Sequence, residues 1–258
     1  MMQTISSPNA PPRTTRATLE IARRALLKYF RTPGLSVMGV VQSGMFLFTF
    51  RFVFGGAIHA GESTYVNYLV PGFVATVLLF TGGGIAVGVA EDRGQGFTDR
   101  LLSLPIPRRS IVLGRILADS TTNAWALFAT AAMGFLVGFR LEGTLLDGLA
   151  AFGLCLIYAV VFTVVFIVIG LLASNVQMAQ GLSLIGSLFA FLSSTYVPVN
   201  SMPAWLQPFA KYQPITPMVN AVRALTTGSS HDVVLALAWS ALLLAVFTPI
   251  AVLRYRRA

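Results

Sequence analysis

The chain has 258 residues, of which 55% are hydrophobic and only 10% charged, and its formal net charge is +9. A soluble domain carries about 25% charged residues, so this composition, with a mean hydropathy of +0.76, excludes a water-exposed globule and indicates an integral membrane protein. The basic residues lie at the ends of apolar runs and not on one polar domain, which excludes nucleic acid as a partner, and the lone cysteine, Cys155, excludes an intrachain disulfide.

Residues 1–17 are polar and rich in Pro, Ser and Thr, the composition of a disordered tail. About thirty polar and basic residues precede the first apolar run, so no cleavable signal peptide is expected. From 18 to 32 a helical wheel gathers Leu19, Ile21, Ala22, Ala25, Leu26, Tyr29 and Phe30 on one side, with only Leu27 out of place. Glu20, Arg23, Arg24, Lys28 and Arg31 take the other side. Such a basic amphipathic helix lies in the membrane interface with its cations toward anionic lipid headgroups.

Beyond it the apolar runs predict six spans, at 34–56, 65–90, 111–139, 146–173, 178–197 and 233–253, because about 20 apolar residues cross a bilayer. Runs of this length favour helices over a barrel, since each helix satisfies its own backbone in lipid. The expected fold is therefore all-α, with residues 18–258 forming one transmembrane unit. Fourteen of the eighteen Lys and Arg residues fall before the first span, in the loop after the second with the base of the third, or after the sixth. An even number of spans puts all three groups on one side, so the positive-inside rule makes both termini and the 91–110 loop cytoplasmic, in a multi-pass protein of the cell membrane.

Several residues within or beside the spans carry polarity. Arg51 lies about 25 Å beyond Gly34 at ~1.5 Å per residue, near the outer interface, where its long side chain can snorkel. Arg115 and Asp119 are spaced to pair on one helix face, with Asn123 one turn further. Gly84 with Gly88, and Gly134 with Gly138, form small-xxx-small pairs that permit close helix contact. His59 and His231 fall in outward loops without metal-spaced partners. Gln180, Ser183, Ser187 and Ser194 share one face of the fifth span; helix-packing glue and a polar substrate path both fit, and the two readings meet at a dimer seam.

Two loops are unlike the rest. Residues 91–109 are dense in charge and predict a short helix from about Gly96 to Leu104, stopped by Pro105 and Pro107. Phe97, Leu101, Leu102 and Leu104 supply an apolar plug, and Arg100, Arg108 and Arg109 charge around it, the pattern of a segment that anchors in a partner's groove. Residues 196–217 contain prolines at 198, 203, 208, 214 and 217, which deny a continuous helix, yet Trp205, Leu206, Phe209, Tyr212, Ile215 and Met218 are too apolar for an aqueous loop. Short helical pieces dipping into the outer leaflet, with Trp205 and Tyr212 at the interface, fit both facts. A loop lying on the membrane surface is the alternative.

The Glu91-x-Arg93-x-x-Gly96 start, the Leu101-Leu102 pair and the Pro105-x-Pro107-Arg108-Arg109 finish resemble the cytoplasmic loop of type 2 ATP-binding-cassette (ABC) exporter permeases, the daunorubicin-resistance-like branch above all. The run Pro198-x-x-x-x-Pro203-x-Trp205-Leu206-Gln207-Pro208, followed by Pro214 and Arg223, is similar to the re-entrant helices near the outer gate of the same permeases. The resemblance spans roughly 18 to 257. It implies an interfacial N-terminal helix, docking of an ABC ATPase on the 91–109 loop, and a second permease copy or a sister permease. ATP and Mg would be bound by that ATPase, and the cargo would be a drug or a lipid. The chain itself has no Gly-x-x-x-x-Gly-Lys-Ser/Thr loop, its only lysines being Lys28 and Lys211. No catalytic constellation or metal-ligand spacing occurs at one membrane level. An ion-coupled secondary transporter of small apolar molecules is the competing reading; Asp119 is the only acidic residue well inside a span, and no internal repeat supports it.

Overall fold

The computed structural model describes residues 44–54, 65–96 and 108–257, together with Arg23, Leu27 and Val41. All regular structure among these residues is helical. We number the helices α1 (Gly44–Val53), α2 (Tyr65–Gly94), α3 (Arg108–Leu136), α4 (Leu145–Leu172), α5 (Val176–Phe191), α6 (Gln207–Tyr212), α7 (Ile215–Thr226) and α8 (Val233–Arg257). The last turn of α1 widens into a π-helical turn over Phe50–Phe54. Arg23 and Leu27 are helical; the rest of the interfacial helix expected over 18–32 lies outside the described residues.

Three of these helices are long and apolar enough to cross a membrane: α2, α4 and the Val233–Arg254 part of α8. Helices α1 and α5 are apolar but shorter. Helix α3, at 29 residues, has the length, but Arg115, Asp119, Ser120, Thr121, Thr122 and Asn123 crowd its first half. The described residues thus carry an all-helical membrane bundle, and the described part of each expected apolar stretch is wholly or largely helical, with unequal span character.

Local chemistry sets the helix ends. Thr144 and Asp147 close a capping box at the start of α4, which satisfies two of the orphan donors of its first turn. The Asn175 side chain accepts from the Met178 amide at 2.8 Å and starts α5. Only Ala173, Ser174 and Asn175 separate α4 from α5, so the two run antiparallel as neighbours.

Two helix ends differ from expectation. Helix α2 continues past Ala90 to Gly94, and Gly96 follows with φ of +64°, the left-handed stop that glycine accepts without strain. Glu91, Asp92 and Arg93 are therefore helical, as are Arg108 and Arg109 at the start of α3. Helix α5 ends at Phe191, short of the expected residue 197. Ser193, Ser194 and Thr195 offer side-chain hydrogen bonds that compete with the helix, and Pro198 disfavours helical backbone before it.

The core is built on α2 and α4, with α3, α5, α7 and α8 packed around them. Leu78, Tyr158, Phe166, Ile167 and Met218 are fully buried there. A second cluster joins Leu47 of α1, Tyr65, Leu69 and Phe73 of α2, and Tyr196. At Gly82 a Cβ would run into the Phe166 ring, and at Gly170 into the Ala86 carbonyl, so these glycines let α2 and α4 meet. The expected glycine pairs behave differently: Gly134 faces Val70, Gly88 faces Arg115, Gly138 ends α3 at φ +101°, and Gly84 meets nothing. Only 11% of the most apolar window of α8 is buried, which puts this helix at the periphery, where lipid replaces protein as its neighbour.

Candidate functional site

The chemistry-bearing side chains gather at the two ends of the bundle. At the loop end, α2 finishes, α3 begins and α4 finishes together. Arg115 of α3 donates from Nη1 to Asp92 Oδ2 of α2, and from Nε to Asp119 Oδ2 at 2.7 Å. The expected pairing of Arg115 with Asp119 is present; Asp92 joining from another helix was not legible in the spacing. Arg93 Nη1 donates to the carbonyls of Leu171 at 2.7 Å and Ala173 at 3.3 Å, at the end of α4. Those are carbonyls that a helix terminus leaves without intrahelical donors.

Of the residues expected to dock a partner, Glu91 and Arg93 are exposed on the last turn of α2, and Gly96 forms the turn that follows. Arg108 and Arg109 stand in the first turn of α3. Phe97, Arg100, Leu101, Leu102 and Pro105 lie outside the described residues.

Further inside, Asn123 Nδ2 of α3 donates to Thr163 Oγ1 of α4 at 2.8 Å. The residue is fully buried, and its Oδ1 is without a partner. Asn123 thus ties two helices and does not extend the Arg115–Asp119 pair. The fifth-span stripe divides. Ser183 and Ser187 are buried and donate back to the carbonyls of Ala179 and Ser183. Ser183 faces Gly83 of α2 at 3.3 Å from where a Cβ would stand. Gln180 is exposed, on the side of α5 that also exposes Leu184 and Leu188. Ser194 lies beyond the helix end and belongs to the opposite end of the bundle.

That opposite end is organised by Arg223 of α7. Its Nε donates to the Tyr68 carbonyl at 2.9 Å, and Nη2 to the carbonyls of Ser194 at 2.7 Å and Thr195 at 3.0 Å. Nη1 reaches Ser194 Oγ at 3.3 Å and Asn220 Oδ1 at 3.4 Å. The guanidinium also stacks 3.5 Å from the centre of the Tyr68 ring, within cation–π range. None of these partners is acidic. The cation is held by carbonyl dipoles, two of them, those of Ser194 and Thr195, freed where α5 stops. Gly72 makes the approach possible, because a Cβ there would strike the Thr195 carbonyl and stand 2.9 Å from Arg223 Nη2.

Gln213 and Thr216 complete the seal. Gln213 Nε2 donates to the carbonyls of Phe189 and Leu192 at 3.0 and 3.1 Å, and the Ser194 amide donates to Thr216 Oγ1 at 3.1 Å. Tyr196 stacks on Phe50 at 4.4 Å and Phe191 at 5.1 Å, with its hydroxyl 2.7 Å from Thr76 Oγ1. Non-helical backbone is tolerated at membrane depth only where protein covers it and satisfies it, and residues 193–196 are all buried.

The expected gate residues follow directly. Pro198 precedes a 3-10 turn at Val199–Ser201, and the Pro203 carbonyl accepts from the amides of Leu206 and Gln207. Pro208 sits in the first turn of α6, and Pro214 immediately precedes α7. Trp205 is 79% exposed, and Phe209 and Tyr212 are exposed with it, whereas nearly the whole of α7 is buried. Sequence reasoning missed how central Arg223 is. The available signal was a cation inside the otherwise uncharged 215–226 stretch.

Residues 16–226 match the family described as ABC-2 type transporter. The daunorubicin resistance ABC transporter permease protein DrrB1 of Streptomyces coeruleorubidus is 28% identical over 257 residues, covering 98% of this chain and 91% of that protein. The probable doxorubicin resistance ABC transporter permease protein DrrC of Mycobacterium tuberculosis is 25% identical over 255 residues, with 98% and 92% covered. A putative transport permease, ycf38, of Cyanophora paradoxa is 23% identical over 214 residues, with 81% and 74% covered.

Proposed function

Because the chain belongs to the ABC-2 type transporter family, we propose that it is the membrane-spanning subunit of an ATP-driven exporter for a hydrophobic or amphipathic drug. Both termini and the 97–107 loop face the cytoplasm in this reading. A separate ABC ATPase docks on the loop, with Phe97, Leu101 and Leu102 as the apolar plug. Glu91, Gly96, Arg100, Pro105, Arg108 and Arg109 shape and charge the rim. ATP and Mg stay on that partner, which supplies the energy. The observation that carries the proposal is the match over 16–226, which takes in the loop, the bundle core and the Arg223 end together. The two resistance permeases, similar over 98% of the chain, support a drug as cargo.

The export path runs along the seam with a second permease copy or a sister permease. On α5 that seam is drawn by Gln180, Leu184 and Leu188, exposed on one side of the helix, while Ser183, Ser187 and Ser194 hold the helix and its broken end from behind. The segment 198–226 forms the outer gate, with Trp205 and Tyr212 at the lipid headgroups. Ion coupling through Asp119 is disfavoured by its bond to Arg115, which keeps the carboxylate paired.

The test is co-purification. The purified chain alone hydrolyses no ATP, and deleting residues 97–104 abolishes its capture of the ABC ATPase while leaving the chain in the membrane. Capture that survives the deletion refutes the docking assignment.

A further inference from the structure

Asp92 and Arg93 are neighbours on the last turns of α2, so their side chains leave the helix about 100° apart and reach different helices. Asp92 is bonded by Arg115 of α3, which also holds Asp119 one turn further along. Arg93 is bonded to the two carbonyls that close α4, an end that favours a cation because the helix dipole is negative there. Gly88, one turn before Asp92, leaves room for Arg115: a Cβ would stand 3.1 Å from its Nη2. The stem of the loop, formed by α2 and α3, is thereby tied to the end of α4 at one level.

The consequence is mechanical. The end of α2 cannot shift alone; Asp92 draws α3 with it, and Arg93 draws the end of α4. Helix α4 packs against α2, α3, α5, α7 and α8, with Phe166 close to Gly186 of α5, and so reaches α5 and the Arg223 helix through its own length. We infer that Arg93 is a positioning residue that passes displacement of the 97–107 loop into α4, while Arg115 splints α2 to α3 so that both stems move as one. This rests on the docking of an ATPase on the loop. It gives Arg93 a role distinct from the docking contacts, because its Nη1 bonds the end of α4.

The experiment uses the full chain co-expressed with its ABC ATPase, in lipid nanodiscs, with amide hydrogen exchange followed before and after trapping with ATP and vanadate. In the unmodified complex, trapping changes exchange both in 97–107 and in 169–175 at the end of α4. Arg93→Ala keeps the ATPase bound and keeps the change in 97–107, but loses the change in 169–175; Arg93→Lys, which can still reach one carbonyl, recovers part of it. Arg115→Asp, which sets three carboxylates together, abolishes the response of α3, and adding Asp92→Arg restores it. If Arg93→Ala only raises exchange in 169–175 equally in both states, so that the trapping response survives, Arg93 is a plain helix cap and the inference is overturned. Loss of ATPase binding in Arg93→Ala overturns it as well. Failure of the unmodified loop to respond to trapping refutes the docking reading instead, and the two failures are read from different peptides.

Discussion

Replacing Arg223 by alanine exposes how the broken end of α5 is held. The change removes three hydrogen bonds to main-chain carbonyls, those of Tyr68, Ser194 and Thr195, each at 3.0 Å or less, while the Tyr68 hydroxyl still donates to the Ser194 carbonyl at 2.8 Å. Inside membrane bundles a hydrogen bond contributes about 0.6 kcal/mol on average and up to about 1.7, so three together amount to about 2–5 kcal/mol. Loss of the stack on Tyr68 adds about 0.5–2 kcal/mol. The amides of residues 193–196 report this locally. Even the lower bound corresponds to exchange roughly 30-fold faster, at about 1.4 kcal/mol per tenfold. Two further variants separate causes: Arg223→Met keeps the length and apolar stem but offers no donors, and it matches alanine, whereas Arg223→Lys keeps a donor cation and falls between. Unchanged exchange at 193–196 in Arg223→Ala, or full recovery in Arg223→Met, refutes the view that carbonyl satisfaction holds this segment.

Other perturbations have expected outcomes of different sizes. Gly72→Val drives a branched side chain into the Thr195 carbonyl and breaks the same knot from the α2 side, with a loss of about 1–3 kcal/mol from overpacking, read by thermal unfolding in detergent. Tyr158→Phe removes the 2.8 Å bond to the Ala236 carbonyl that latches α8 onto α4, and costs about 1 kcal/mol in the same assay. Asn123→Leu gives up the bond to Thr163 but also removes a buried oxygen without a partner, so the net change stays within about 1 kcal/mol; a larger loss would mean that Oδ1 is satisfied by a bound water.

What the sequence revealed and what it concealed separate along a physical line. Runs of apolar residues and the placement of arginines at their ends are local properties, so the helical membrane class and the sites of chain reversal were legible. The end of α2 was misjudged because Glu91, Asp92 and Arg93 have the charge density of a loop. They remain helical while Asp92 meets Arg115, 23 positions away, and Arg93 meets Leu171, 78 positions away. The 3-4-7 spacing of Gln180, Ser183 and Ser187 was visible, but which neighbour each residue meets depends on Gly83 of another helix. Arg223 was hardest to read, because its partners are backbone carbonyls, which leave no mark on residue identity. The break in α5 that supplies two of them became visible only once Ser194 and Thr195 were seen facing that cation.

In the proposed function a loop on the cytoplasmic side, near Leu101, is gripped by a detachable ATPase. The most direct measurement is labelling of Arg100→Cys, in a chain where the buried Cys155 is replaced by serine, with a membrane-impermeant maleimide. A cytoplasmic loop is labelled in inside-out vesicles, is not labelled in intact cells, and is protected when the ATPase is bound. Labelling of intact cells, or labelling that the bound ATPase leaves unaffected, would contradict the proposal.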